Sequence, residues 1–154
     1  MRVDRVYTRD VVRIDESSSL EDAAYLMQQH HVGTLLVTGI APNDSQVIGI
    51  VTDRDLVLQG MTKALKADET PVSEVMTRGI VTVAARADVH EAMELMRAGG
   101  LRRLAVTDRD GIVVGVLSLD DIIDGVAADL TALAAVIRSE RQREVAPATM
   151  IARL

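Results

Sequence analysis

Gly49-Ile50-Val51-Thr52-Asp53-Arg54-Asp55 returns later in the chain as Gly115-Val116-Leu117-Ser118-Leu119-Asp120-Asp121. Each copy is a β-branched run holding one glycine, then a hydroxyl residue, then an aspartate three positions on. That order reads as a strand running straight into a helix N-terminus. A glycine in such a strand lets backbone or ligand approach closely. The hydroxyl sits beside the unpaired amides that open a helix, where phosphate is favoured. The aspartate, one turn in, offers acceptors to adjacent hydroxyls such as a ribose diol. A structural alternative stands beside this reading. Thr52 and Ser118 as N-caps are worth about 1 kcal/mol each, and Asp55 and Asp121 near the helix dipole roughly 0.3–1 kcal/mol.

Working outward, the duplication covers most of the chain. Val6, Thr8, Arg9, Val12, Ala23, Met27, Leu35, Val37 and Thr38 recur at one constant interval as Val75, Thr77, Arg78, Val81, Ala92, Met96, Leu104, Val106 and Thr107. The interval shortens by three residues at a single loop before Gly49. A duplication of this size implies two half-modules that bury apolar faces against each other, with paired sites where they meet.

In the first repeat Val11, Val12 and Ile14 form a short strand. Ser18 and Glu21 make a capping box ahead of the stripe Leu20, Ala23, Ala24, Met27. Residues 34–38 and 47–51 are strands, and Asp53 to Leu58 opens a second helix. The second repeat follows the same order. Ile80, Val81 and Val83 are the strand, Asp88 and Glu91 the box, and Val89, Ala92, Met93, Met96 the stripe. Gly99-Gly100 ends that helix where His30-His31 ends the first, since histidine tolerates a left-handed backbone better than most residues. Asp108-Arg109-Asp110-Gly111 is a hairpin turn, and Leu119 or Asp120 starts the closing helix. Each half is β-α-β-β-α, and Lys63 to Pro71 is a polar linker. Beyond both repeats, Val126, Leu130, Leu133 and Ile137 recur at coiled-coil spacing. This seam either covers the module's own core or makes a subunit contact.

Composition bounds the function. The 154 residues are 48% hydrophobic, enough for a substantial core, yet only 1% aromatic. Tyr7 and Tyr25 are too few for aromatic cages or base-stacking platforms. A net charge of −6 opposes a broad nucleic-acid or anionic-membrane surface. With no cysteine there is no disulfide, thiolate nucleophile or Cys-ligated metal. No apolar leader follows Met1 and no stretch reaches membrane-spanning length, so a cytoplasmic protein is expected. Asp53-Arg54-Asp55 and Asp108-Arg109-Asp110 have the look of metal-binding pairs but serve the ribose motif and the hairpin. His90-Glu91 lacks the second histidine of a zinc protease motif. Neither a P-loop, a GxSxG elbow nor a dinucleotide fingerprint is present, so catalysis is not expected.

The repeat, and above all its two heptapeptides, resembles the CBS domain (named for cystathionine β-synthase), two of which form a Bateman module. The resemblance spans roughly residues 3 to 126. It implies an α/β (α+β) fold in which two repeats pack about a pseudo-twofold axis, followed by a C-terminal helix. The domains are then residues 3–60 and 72–126, with a linker over 61–71 and a helix and tail over 127–154, as a stand-alone pair. It further implies adenosine ligands, AMP, ADP, ATP or S-adenosylmethionine, held by Thr52, Asp55, Ser118 and Asp121. Arg54 and Asp120, at matching positions inside the two motifs, are counted with them as nucleotide-binding residues. Arg102 and Arg103, where the first repeat has Gly33 and Thr34, are placed to contact phosphate; a charge-assisted bond of that kind is worth about 1.5–3 kcal/mol. Thr8, Gly33, Thr34 and Thr77 are further site positions.

On this reading Asp120 and Asp121 repel phosphate unless the arginines beside them compensate, and the arginine-bearing cleft is the tighter one. No cofactor or metal is required. The expected assembly is a homodimer acting on a partner protein in trans, with no nucleic acid and no membrane. Two rivals are a ligand-free structural or stress-related interaction protein with vestigial sites, and a nucleic-acid binder using Arg138, Arg141 and Arg143. The acidic balance disfavours the second.

Overall fold

The computed structural model describes residues 1–39 and 46–145. The loop where the repeat interval shortens, and residues 146–154 of the expected tail, lie outside them. The elements run β1 (Arg13–Asp15), α1 (Leu20–His30), β2 (Thr34–Thr38), β3 (Val47–Thr52), α2 (Asp53–Thr62), β4 (Thr77–Arg78), β5 (Thr82–Ala84), α3 (Val89–Gly99), β6 (Arg103–Thr107), β7 (Val113–Ser118) and α4 (Leu119–Val145). One sheet has the order β1-β2-β3-β4 and the other β5-β6-β7. In each, the first pair is parallel and the second antiparallel, with a register shift at the same point (Val37/Thr38 and Val106/Thr107).

Local signals hold with small displacements. His31 takes the left-handed conformation (φ 54°), as does Gly100 (φ 60°), and each donates its N–H back into the helix it ends. The first capping box sits one residue later than the spacing suggested. Ser19 Oγ accepts the Asp22 N–H (3.0 Å), and the Ser19 N–H donates to Asp22 Oδ2 (3.1 Å). Ser18 is used elsewhere, its N–H going to the Asp15 carbonyl and its carbonyl receiving the Val72 N–H. In the second repeat Asp88 caps alone, accepting the His90 N–H (2.8 Å), with no reciprocal bond from Glu91. β1 covers Ile14 but not Val11 or Val12. The Val12 carbonyl still accepts the Leu36 N–H, while Val11 packs between the sheets. In both helical stripes the third member, Ala24 or Met93, is exposed, and half-buried Leu26 and Leu95 pack on the core instead.

The leader of each repeat belongs to the other half. Thr77 and Arg78 pair with Ile50 and Gly49, adding a fourth strand to the first sheet. Thr8 exchanges both backbone hydrogen bonds with Val116 (2.9 and 3.0 Å), placing the first leader beside the second sheet. The cores follow the same exchange. Val72, Val75 and Met76 are buried with Ile14, Leu35 and Val51, whereas Val3 is buried with Val83, Leu104 and Leu117. A third cluster of Leu36, Val47 and Val116, flanked by Val11, Ile50, Ile80 and Val113, joins the two sheets.

The motif glycines exist for this crossing. A Cβ on Gly49 would lie 2.5 Å from the Thr77 carbonyl oxygen, and one on Gly115 would overlap the Thr8 carbonyl and the Tyr7 ring. Backbone, rather than ligand, makes the close approach that the glycine allows.

The apolar seam on α4 does not cover the core. Val126, Leu130, Leu133 and Ile137 are all exposed, and α4 runs unbroken through residues 126 and 127.

Candidate functional site

Because the leaders cross, two clefts open between the halves, and their walls correspond position by position. The first is lined by Ser118 and Asp121 together with Thr8, Asp10, Gly33 and Thr34. The second is lined by Thr52 and Asp55 together with Thr77, Gly79, Arg102 and Arg103. Apolar walls complete each: Val11, Val12 and Val32 in the first, Ile80, Val81 and Leu101 in the second. Each cleft thus combines one repeat's heptapeptide with the other repeat's strand entry. The volumes are ≈ 190 and ≈ 180 Å³, below the roughly 300 Å³ at which small-molecule pockets usually begin.

The hydroxyl and carboxylate of each motif are locked together. Thr52 Oγ1 donates to Asp55 Oδ2 (2.8 Å), the Thr52 N–H donates to the same oxygen (2.9 Å), and the Asp55 N–H donates to Thr52 Oγ1 (3.2 Å). Ser118 and Asp121 repeat this at 2.6, 2.8 and 3.1 Å. These are reciprocal capping boxes with aspartate in the third helical position. The structural role is therefore real at all four residues. Oδ1 of each aspartate takes no hydrogen bond among the described residues and remains an acceptor for a ligand. The first amide of each helix is also spent: the Asp53 N–H goes to the Gly33 carbonyl (3.1 Å), and the Leu119 N–H to the Arg102 carbonyl (2.9 Å).

The two arginines also reach across the seam to the motif of the other repeat. Arg102 enters the cleft of Thr52 and Asp55 and not that of Ser118 and Asp121. Arg103 alone reaches both. The second cleft is thus lined by two arginines and one carboxylate, and the first by the shared Arg103 with Asp10 and Asp121. Arg54 and Asp120 line neither cleft. Arg54 is exposed on α2, and Asp120 stands 3.6 Å from Arg102 Nη2 in an exposed ion pair. Asp10 went unremarked in the sequence, although its repeat partner, Gly79, marks it as a difference between the clefts.

Among the described residues, no three His, Asp or Glu side chains stand close enough to hold a metal ion, and no helix is long and apolar enough to cross a membrane.

Comparison with known proteins agrees with this architecture. The chain is 31% identical over 121 residues to an uncharacterised protein of Methanopyrus kandleri, covering 79% of this chain but 60% of that protein. It is 31% identical over 115 residues to the CBS domain-containing protein YhcV of Bacillus subtilis, covering 75% and 78%. A CBS domain protein of Pyrobaculum aerophilum, solved in complex with AMP, superposes with a TM-score of 0.69 at 27% identity, over 79% of this chain and 89% of that one. The CBS domain model matches twice, at residues 3–59 and 72–128, one match for each half of the structure. With the duplicated sheets, crossed leaders and paired clefts, these matches establish that the chain belongs to the CBS domain family and carries two such domains in tandem.

Proposed function

We propose that this protein is a regulatory sensor that binds an adenosine nucleotide in its inter-domain clefts without turning it over. Its preferred ligand is phosphorylated, in the class of AMP, ADP and ATP, and its preferred site is the cleft of Thr52, Asp55, Arg102 and Arg103. The observation carrying this reading is the convergence of two arginines with a free aspartate oxygen and an apolar wall in one cleft. Asp55 Oδ1 suits a ribose hydroxyl and the guanidinium groups suit phosphate, while Ile80, Val81 and Leu101 offer a surface for the base. The AMP-bound relative supports the ligand class. The first cleft, with two carboxylates and a single arginine, suits a neutral or cationic adenosyl compound such as S-adenosylmethionine better than a polyphosphate.

Both clefts are small and open, so a nucleotide fills one by engaging both walls. Such a ligand shifts the angle between the halves by the difference in its affinity for the two arrangements. A partner protein in the cytoplasm would read that angle. Arg54 and Asp120 would modulate the field at the cleft mouths rather than touch the ligand.

Calorimetric titration with AMP, ADP, ATP, S-adenosylmethionine and NADH tests the reading. Micromolar binding of a phosphorylated ligand, lost on Arg102→Ala with Arg103→Ala, is expected. The capping boxes give the rival reading, a ligand-free interaction protein, its own support. Absence of binding below millimolar concentration for every ligand would establish that rival.

A further inference from the structure

We propose that the second repeat carries a third ligand site, for a compact phosphorylated anion, at the end of its sheet remote from the clefts. Arg2, Asp4, Arg86, Thr107, Asp108 and Arg109 line a hollow there of ≈ 280 Å³. It is larger than either cleft and close to the roughly 300 Å³ at which small-molecule pockets usually begin. Arg103 opens β6 inside the clefts and Thr107 closes it in this hollow, about 13 Å further along the strand.

Three separate segments bring the arginines together. Arg2 comes from the first leader, Arg86 from the turn after β5, and Arg109 from the hairpin between β6 and β7. The carboxylates beside them are already engaged. Asp4 accepts from Arg2 Nη2, and Asp108 Oδ1 accepts the Asp110 and Ile112 N–H groups of its own hairpin (both 2.9 Å). Arg86 and Arg109 are exposed and make no hydrogen bond or ion pair among the described residues. Like charges around one hollow repel each other. An oxyanion between them relieves that repulsion, and each guanidinium offers it a two-pronged donor.

The duplication separates this charge from the scaffold. Where the second repeat has Arg2, Ala84, Ala85 and Arg86, the first has Pro71, Asp15, Glu16 and Ser17. Asp15 is bonded there to the Ser17 amide and hydroxyl, and Glu16 pairs with Arg78 (3.4 Å). The same fold thus ends in carboxylates in one half and in unpaired cations in the other. Ligand class follows from what the lining lacks. Ala84 and Ala85 are its only apolar side chains, too little surface for a nucleotide base. A sugar phosphate or pyrophosphate suits the hollow, and a nucleotide does not.

Calorimetric titration of the full chain with inorganic pyrophosphate and with glycerol 3-phosphate tests the site, with amide NMR shifts to locate the ligand. At least one is expected to bind below about 1 mM and to shift the amides of Arg86 and of residues 108–111. Arg86→Ala with Arg109→Ala should weaken that binding roughly 10- to 100-fold. Melting should stay unchanged, since neither side chain supports the fold. Arg102→Ala with Arg103→Ala should leave the same binding intact, and AMP should leave those amides unshifted. Loss of binding in the cleft variant, or no binding of either anion below about 1 mM, overturns the proposal. Tighter capture of hexaglutamate than of pyrophosphate, or AMP shifting those amides, overturns the assigned ligand class.

Discussion

Gly49→Ala should be far more damaging than a methyl group suggests, because its obstacle is backbone. The new Cβ would stand 2.5 Å from the Thr77 carbonyl oxygen and 3.2 Å from Met76 Sδ. Met76 can bend away, but Thr77 is tied to Ile50 by strand pairing. Relief requires β4 to retreat by about 1 Å, toward ordinary carbon–oxygen contact. Overpacking of this kind costs about 1–3 kcal/mol, and each ladder hydrogen bond weakened adds up to about 1 kcal/mol. A loss near 3 kcal/mol follows, which lowers Tm by about 6–12 °C in a chain of this size. Gly60→Ala is the control: it lies in α2 with nothing within 4 Å of its Cβ, and should gain about 0.5–1 kcal/mol. Thermal unfolding by circular dichroism measures both, and hydrogen exchange at Thr77 and Gly79 reports the leader directly. If Gly49→Ala melts within about 2 °C of the native chain, with those amides still protected, the crossing is not held as described.

The capping boxes make Asp121→Ala a double reporter. It should lose about 1 kcal/mol of stability by freeing the Ser118 amide and hydroxyl, and, if its cleft is occupied, about 1–3 kcal/mol of affinity, roughly 10- to 100-fold; unfolding and calorimetry on one preparation separate the two. Arg103→Ala should weaken AMP by roughly 10- to 100-fold while leaving uncharged adenosine within about 3-fold; equal losses for both ligands would show that the guanidinium does not meet phosphate. Asp15 is held below the usual carboxylate range by the Ser17 hydroxyl and amide, and Asp88 by the His90 amide. A carboxylate with a lowered folded value stabilises the fold above its unfolded value, near pH 4, and loses that contribution as pH falls through the folded one. Melting temperature should therefore drop below pH 4, and less steeply in Asp88→Asn; an unaltered acid profile in that variant would refute the assignment.

The sequence made the fold legible because duplication doubles every weak signal. One heptapeptide is ambiguous, but two at the end of the same strand-helix-strand-strand order are not. What it concealed was the pairing between copies. A repeat interval states which residues are equivalent, yet Thr8 beside Ile50 and Thr8 beside Val116 leave the same pattern in the sequence. That ambiguity concealed that Arg102 and Arg103 also line the cleft of the other motif, and hid Asp10 as a cleft residue. Three consecutive serines likewise left the N-cap of α1 open to a one-residue error. The α4 seam was visible as a period, but its exposure was not, since a stripe packed on the body has the same spacing as one that is free.

The crossed leaders also bear on how such a chain could arise. A lone repeat would lack the edge strand on its sheet, and the pocket filled by Val72 and Val75, or by Val3, would stand open. Only two repeats lending leaders to each other close both. Before the duplication, a single repeat would have been complete only as an intertwined pair of chains, and joining them end to end made that reciprocity permanent. The two halves should accordingly fold and unfold in one step, and neither should survive being cut apart at the linker.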